Sequence, residues 1–201
     1  MPYQIQINDS GVIETQPISP EEEFISGDSS LKNKKILDYW IWAFSDLIGN
    51  TDRGNLAEYF VSMAVGSERR VRNSWAAYDV MTPDGMRIEV KSAAYSQAWH
   101  QEKPSDIQFS IRQTREWLPE RNGFGEERKR HSDVYVLCVL AEKDKSRLNP
   151  MDLSQWEFYV IATKLIDRDF GSKQSISLKQ VKEYSDPLLI GQLSKVVNEV
   201  I

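Results

Sequence analysis

Residues 77–91 read AYDVMTPDGMRIEVK, and this stretch decides the fold. Thr82-Pro83-Asp84-Gly85-Met86 carries turn chemistry: proline presets the first turn position, aspartate suits the second, and glycine supplies the positive φ that follows. The spacing predicts a hairpin with a three-residue loop over 83–85 and Gly85 in the left-handed region. Thr82 then faces Met86, Val80 faces Ile88 and Tyr78 faces Val90, giving one apolar face. On the other face Asp79 meets Glu89 and Ala77 meets Lys91. Like charges directly opposed across two strands are destabilising. A divalent cation between Asp79 and Glu89, with Lys91 on the same face two residues along, would turn that cost into a site. The same repulsion predicts that Asp79→Ala stabilises the metal-free protein.

The arrangement resembles the PD-(D/E)XK nuclease superfamily, with its restriction-endonuclease-like fold. Asp79 stands at the place of the first acid, and Glu89-Val90-Lys91 matches the acid-x-lysine of the second strand. Tyr78 stands where the pattern has proline, its most variable position. Members often add a glutamate on the preceding helix, and Glu58 in Gly54-Asn55-Leu56-Ala57-Glu58-Tyr59-Phe60 fits that place; the alternative is an ordinary solvated helix glutamate. The resemblance covers residues 53–162. It implies an α/β fold with a restriction-endonuclease-like mixed central sheet flanked by helices, plus an N-terminal helical extension.

Outward from the hairpin, residues 1–32 are polar and turn-rich, with Ser19-Pro20 and the acidic Glu21-Glu22-Glu23; they read as a polar arm before a single domain over 33–201. Residues 32–48 carry Ile36, Leu37, Trp40, Phe44, Leu47 and Ile48 at helical spacing, ended by Gly49-Asn50. A second helix over 53–65, capped by Thr51 or Asp52, has Leu56, Ala57, Phe60, Met63 and Ala64 as its buried stripe, with Glu58 on the flank. The hairpin strands are expected over 74–81 and 86–93 and a third strand over 107–111. A helix follows over 113–117. The apolar run 134–140 reads as a central strand buried on both faces, and 156–162 as another strand. Short helices at 177–184 and 191–200 are separated by Pro187.

Polar groups after the acid-x-lysine, Ser92 and Gln97, could hold a phosphate, and His100 reads as a surface loop residue. Arg112, Arg115, Arg121, Arg128, Lys129 and Arg130 are the best candidates for a phosphate-facing surface, although interspersed acids make a solvated face the competing reading. The net charge of −5 over 201 residues argues against a general nucleic-acid binder but not against a nuclease, whose acidic site adds negative charge. No apolar run is long enough to span a membrane. The start lacks the basic and apolar regions of a signal peptide. The single Cys138 sits in an apolar run, as a buried thiol in a reducing cytoplasm would. There is no phosphate-loop glycine pattern and no Gly-x-Ser-x-Gly elbow.

The chemistry implied is metal-dependent hydrolysis of phosphodiesters. Carboxylates are hard ligands suited to Mg²⁺, with Mn²⁺ as substitute. The resemblance assigns Asp79, Glu89 and the Val90 carbonyl to one or two ions, Glu58 to direct or water-mediated assistance, and Lys91 to orienting or deprotonating the attacking water. DNA, the commoner substrate of the superfamily, is the expected partner, and a homodimer is expected by resemblance only. The competing function is a non-catalytic binding or assembly subunit of the same fold.

Overall fold

The computed structural model describes residues 5–25 and 33–200, so the arm expected over 1–32 is described only in part. Its described part begins with a small antiparallel hairpin, β1 (Gln6–Ile7) with β2 (Ile13–Glu14), and Glu23 bridges to Lys35. Helices α1 (Ile36–Phe44) and α2 (Asn50–Ala64) follow. The hairpin strands are β3 (Val80–Met81) and β4 (Arg87–Ala94). Next come β5 (Gln108–Ser110), β6 (Trp117–Leu118), β7 (Gly123–Phe124) and β8 (Val134–Leu140). The chain ends through β9 (Trp156–Ala162), α3 (Thr163–Phe170), β10 (Ser175–Ser177), α4 (Leu178–Val181) and α5 (Ile190–Glu199).

The central sheet has the order β3-β4-β8-β9. Only the β4–β8 pair is parallel, so the sheet is mixed, as expected. All seven residues of β8 are buried, which is what its unbroken apolar run demands of an interior strand. Alternation along the strands sends Ile88, Val90, Val136 and Cys138 to one face, where Ala57, Phe60 and Val61 of α2 and Leu193 and Val197 of α5 cover them. Tyr135, Leu137 and Val139 go to the other, under Phe109, Ile111, Ile166, Phe170 and Ile176. The result is a three-layer α/β architecture with the sheet in the middle.

The third strand expected over 107–111 forms as β5, outside the central sheet, and pairs with β10, Phe109 opposite Ile176. Other expectations are corrected. The expected helix over 113–117 is extended: Thr114 bridges to Lys129 and Trp117 pairs with Phe124. So short a segment holds a single helical turn, too little to resist the cross-strand bonds that β7 offers. The stripe on α1 finds no core, and none of its residues is buried. The first helix is shorter than 32–48, and Gly49 rather than Thr51 or Asp52 stands at the N-cap of α2.

Arg130, expected on a phosphate-facing surface, is inside. Its guanidinium donates to the Ile111 carbonyl at 2.7 Å, to Asp167 Oδ1 at 2.5 Å and to the Gly171 carbonyl at 2.8 Å, with no side-chain exposure. It ties the strand-like segment after β5 to the end of α3. Asp167 is half exposed, so water replaces its partner, but Arg130→Ala leaves the Ile111 and Gly171 carbonyls without this donor and is expected to cost about 2–3 kcal/mol. Urea unfolding should show this as a lower midpoint at an unchanged slope.

Candidate active site

The hairpin forms as its turn chemistry dictates. Gly85 has φ +96°. Its N–H donates to the Thr82 carbonyl at 3.0 Å, and the Thr82 hydroxyl accepts from Met86 N–H at 2.9 Å. Val80 faces Ile88, fixing the register. The first strand is much shorter than 74–81, however, and Tyr78 and Ala77 do not pair. Asp79 N–H donates to the Ile88 carbonyl at 3.0 Å, so two residues of one strand address a single residue of the other. Such a bulge ends a ladder and re-aims side chains. The Val90 N–H then finds the Asp79 carboxylate, Oδ2 at 2.8 Å.

Asp79 therefore reaches the face that carries Glu89 and Lys91. Lys91 Nζ lies 2.5 Å from Glu89 Oε1 and 3.7 Å from Asp79 Oδ2. The three side chains are partly buried, 21% to 30% exposed. The opposed acids are thus bracketed around a cation, and Asp79 also has an N–H donor. Against this geometry, relief of repulsion no longer predicts that Asp79→Ala stabilises the metal-free protein.

Burial is the main force on Glu89 and raises its carboxyl above the ordinary 4.5; Lys91 opposes the rise, and the Asp79 and Glu58 charges reinforce it. Burial by itself would lower the Lys91 ammonium, but the Glu89 and Asp79 charges more than offset it and hold it above 10.5. Glu89 holds its proton more tightly folded than unfolded, so its contribution to stability is full below 4.5 and is lost as pH rises through the raised value. In EDTA, wild type should lose thermal stability relative to Glu89→Gln as pH is raised from 4.5 toward neutrality, measured by paired melting curves.

Glu58 projects from α2 toward the same centre but is already engaged. Arg72 grips it with two bonds, Nε to Oε2 at 2.5 Å and Nη2 to Oε1 at 3.0 Å, and its Nη1 donates to Ser74 Oγ at 2.8 Å. Arg72 and Tyr135 are residues that sequence reasoning did not single out for the site. Tyr135 stands beside Glu89 in the parallel ladder, and burial first, then the Glu89 charge, raises its phenol. In the run Glu68-Arg69-Arg70-Val71-Arg72 nothing local sets Arg72 apart from the two arginines before it.

The other expected contacts lie elsewhere. Ser92 is on the opposite face of β4, where its hydroxyl accepts from Arg53 Nε at 3.1 Å. Gln97 is buried beyond the end of β4 and donates to the Ala94 carbonyl at 2.9 Å. His100 is exposed in a loop. Arg115 comes to the rim of a cavity of about 240 Å³ that also touches Asp79 and Glu89, and Arg112 lines an adjoining depression. A second cavity, about 330 Å³, opens on the other side of the segment 66–79 and is lined by Glu58, Arg72 and Asp79.

Among the described residues no three His, Cys, Asp or Glu side chains converge as a metal cage. Two carboxylates and a strand carbonyl remain, Asp79, Glu89 and Val90. That hard, incomplete oxygen set fits Mg²⁺, which commonly takes one or two carboxylates and completes its shell with water and substrate phosphate.

Residues 30–180 match the family described as bacteriophage T4 endonuclease IV. The matched stretch contains α1, α2, the whole central sheet and every residue named at the site. No curated protein matches the chain.

Proposed function

Because the chain belongs to the bacteriophage T4 endonuclease IV family, we propose that it hydrolyses phosphodiester bonds in DNA at a PD-(D/E)XK-type site made of Asp79, Glu89 and Lys91. The observation that carries this reading is the Lys91 ammonium bracketed by two carboxylates on one hairpin. Asp79, Glu89 and the Val90 carbonyl would hold Mg²⁺, and Glu58 would assist directly or through water on exchanging its Arg72 partner. When bound, the ion supplies Lewis-acid polarisation of phosphate oxygens.

The protein's own groups do the rest. Asp79 is fixed by the Val90 N–H, so its carboxylate is set before substrate arrives. Lys91, kept protonated by its two acids, has no lone pair with which to take a proton. It acts as a fixed cation that orients the attacking water and neutralises charge growing on the phosphate. Arg115, which lines the cavity with Asp79 and Glu89, and Arg112 next to it would meet a flanking phosphate.

No helix among the described residues is long and apolar enough to cross a membrane. Cys138 is fully buried and its thiol is pushed up by burial, which suits a reducing cytoplasm. A homodimer would bring two such sites to the two strands of a duplex.

The test is incubation of purified protein with supercoiled plasmid and single-stranded DNA in Mg²⁺, Mn²⁺ or EDTA. Cleavage in either metal and none in EDTA supports the reading. No cleavage in any condition, together with no Mn²⁺ binding by calorimetry, would replace it with the non-catalytic subunit.

A further inference from the structure

The cavity of about 240 Å³ is lined by two unlike sets of side chains: the acids Asp79 and Glu89, and the indoles of Trp75 and Trp117, with Arg115 and Glu116 next to the second. The two indoles come from distant segments, the turn before β3 and the strand β6, yet their ring centroids are 5.4 Å apart at 44°. Phe124 braces Trp117 edge-on from β7, at 5.1 Å and 72°. Trp117 is half-buried, whereas Trp75 is 65% and Phe124 63% exposed. The Trp75 turn is set by its own N–H, which donates to Asn73 Oδ1 at 3.0 Å. Beyond Phe124 the surface turns basic, with Arg112, Arg115 and Arg128 around one depression.

These features share one explanation. Exposed rings grouped on one surface, here Trp75 and Phe124 around Trp117, mark a place where a ligand's flat apolar face can sit. The cavity is smaller than the about 300–1,000 Å³ typical of drug-sized ligands, so it has room for one planar ring system. Cations beside it suit the phosphates on either side of that ring, and the acids lead directly to the cleaving centre. Proteins that hold nucleic acid strands combine these elements: aromatic faces for the bases and positive charge for the backbone.

We infer that Trp75, seated on Trp117, is a stacking platform for one unpaired nucleobase next to the phosphodiester being cut. The inference rests on the nuclease reading and adds a positioning residue to it. A base inside a duplex has both faces covered, so the base taken here must first leave its stack. Stacking reads the π-face common to all bases, so the platform positions the strand without selecting sequence.

The experiment uses the full chain in EDTA, where binding is read without cleavage. A short single strand of mixed sequence and its abasic counterpart are titrated separately, following tryptophan fluorescence. Wild type should bind the base-containing strand about 5- to 150-fold more tightly than the abasic one, with quenching. Trp75→Ala should lose that preference and most of the quenching while keeping its affinity for the abasic strand. Trp75→Tyr should restore the preference, which a merely structural role would not require. Equal binding of the two strands by wild type, or an unchanged preference in Trp75→Ala, overturns the inference. If that result comes with cleavage of plasmid in Mg²⁺, the nuclease reading stands without the platform. If wild type neither binds nor cleaves, both fall together.

Discussion

Lys91→Ala is expected to lower the rate of DNA cleavage in Mg²⁺ by about 10²- to 10³-fold, the usual loss when one preorganised charge-stabilising donor is removed. The fold should survive, because the strand ladder of β4 with β8 passes through Lys91 by its backbone and the Lys91 side chain is not part of either buried cluster. Metal binding should be kept or improved. In the structure the ammonium sits between Glu89 and Asp79, and its removal leaves both carboxylates without their cation. Calorimetry with Mn²⁺ checks the second half, and a time course of plasmid nicking checks the first. Weaker metal binding in Lys91→Ala would mean that the lysine organises the acids and is not itself the charge that acts on phosphate.

Glu89→Gln is expected to remove both properties at once. The amide keeps the shape and can still accept a hydrogen bond from Lys91, but it is a poor ligand for a hard cation. Cleavage should fall by about 10²- to 10³-fold, and the Mn²⁺ titration should lose most of its signal. The two variants therefore separate the roles: Lys91 acts on substrate, Glu89 on the ion. Because the groups work as one unit, the double variant should be scarcely less active than either single one. Additive losses would assign them to independent steps.

What could be read from the sequence was whatever local chemistry decides. Pro83, Asp84 and Gly85 fix a turn within a few residues, and the turn fixes the pairing of Val80 with Ile88. Placing Glu89 and Lys91 on one face then needs only the two-residue period of a strand. The bounds of β8 follow from an apolar run that nothing interrupts, and those of β9 from one broken only by Glu157. The bulge at Asp79 was not legible, since it depends on which donor its carboxylate finds after folding, and the Val90 N–H is eleven residues away. The same holds for Arg72 on Glu58, fourteen residues on, and for the Trp75–Trp117 pair. Arg130 looked like its charged neighbours in sequence; only the approach of α3 and the Ile111 segment shows that it is enclosed. The helical spacing on α1 was real as a pattern, but a pattern does not name what it packs against, and the core is filled by α2 and α5. Segment 113–117 failed for the opposite reason, being too short for periodicity to outweigh a cross-strand partner.

The most direct test of the central claim is one gel: supercoiled plasmid with wild type, Lys91→Ala and Glu89→Gln, each in Mg²⁺ and in EDTA, with circular dichroism confirming that all three proteins are folded. The hairpin site predicts nicking by wild type in Mg²⁺ alone and next to none by either variant. Nicking by folded Lys91→Ala or Glu89→Gln at the wild-type rate would place the cleaving centre elsewhere in the molecule.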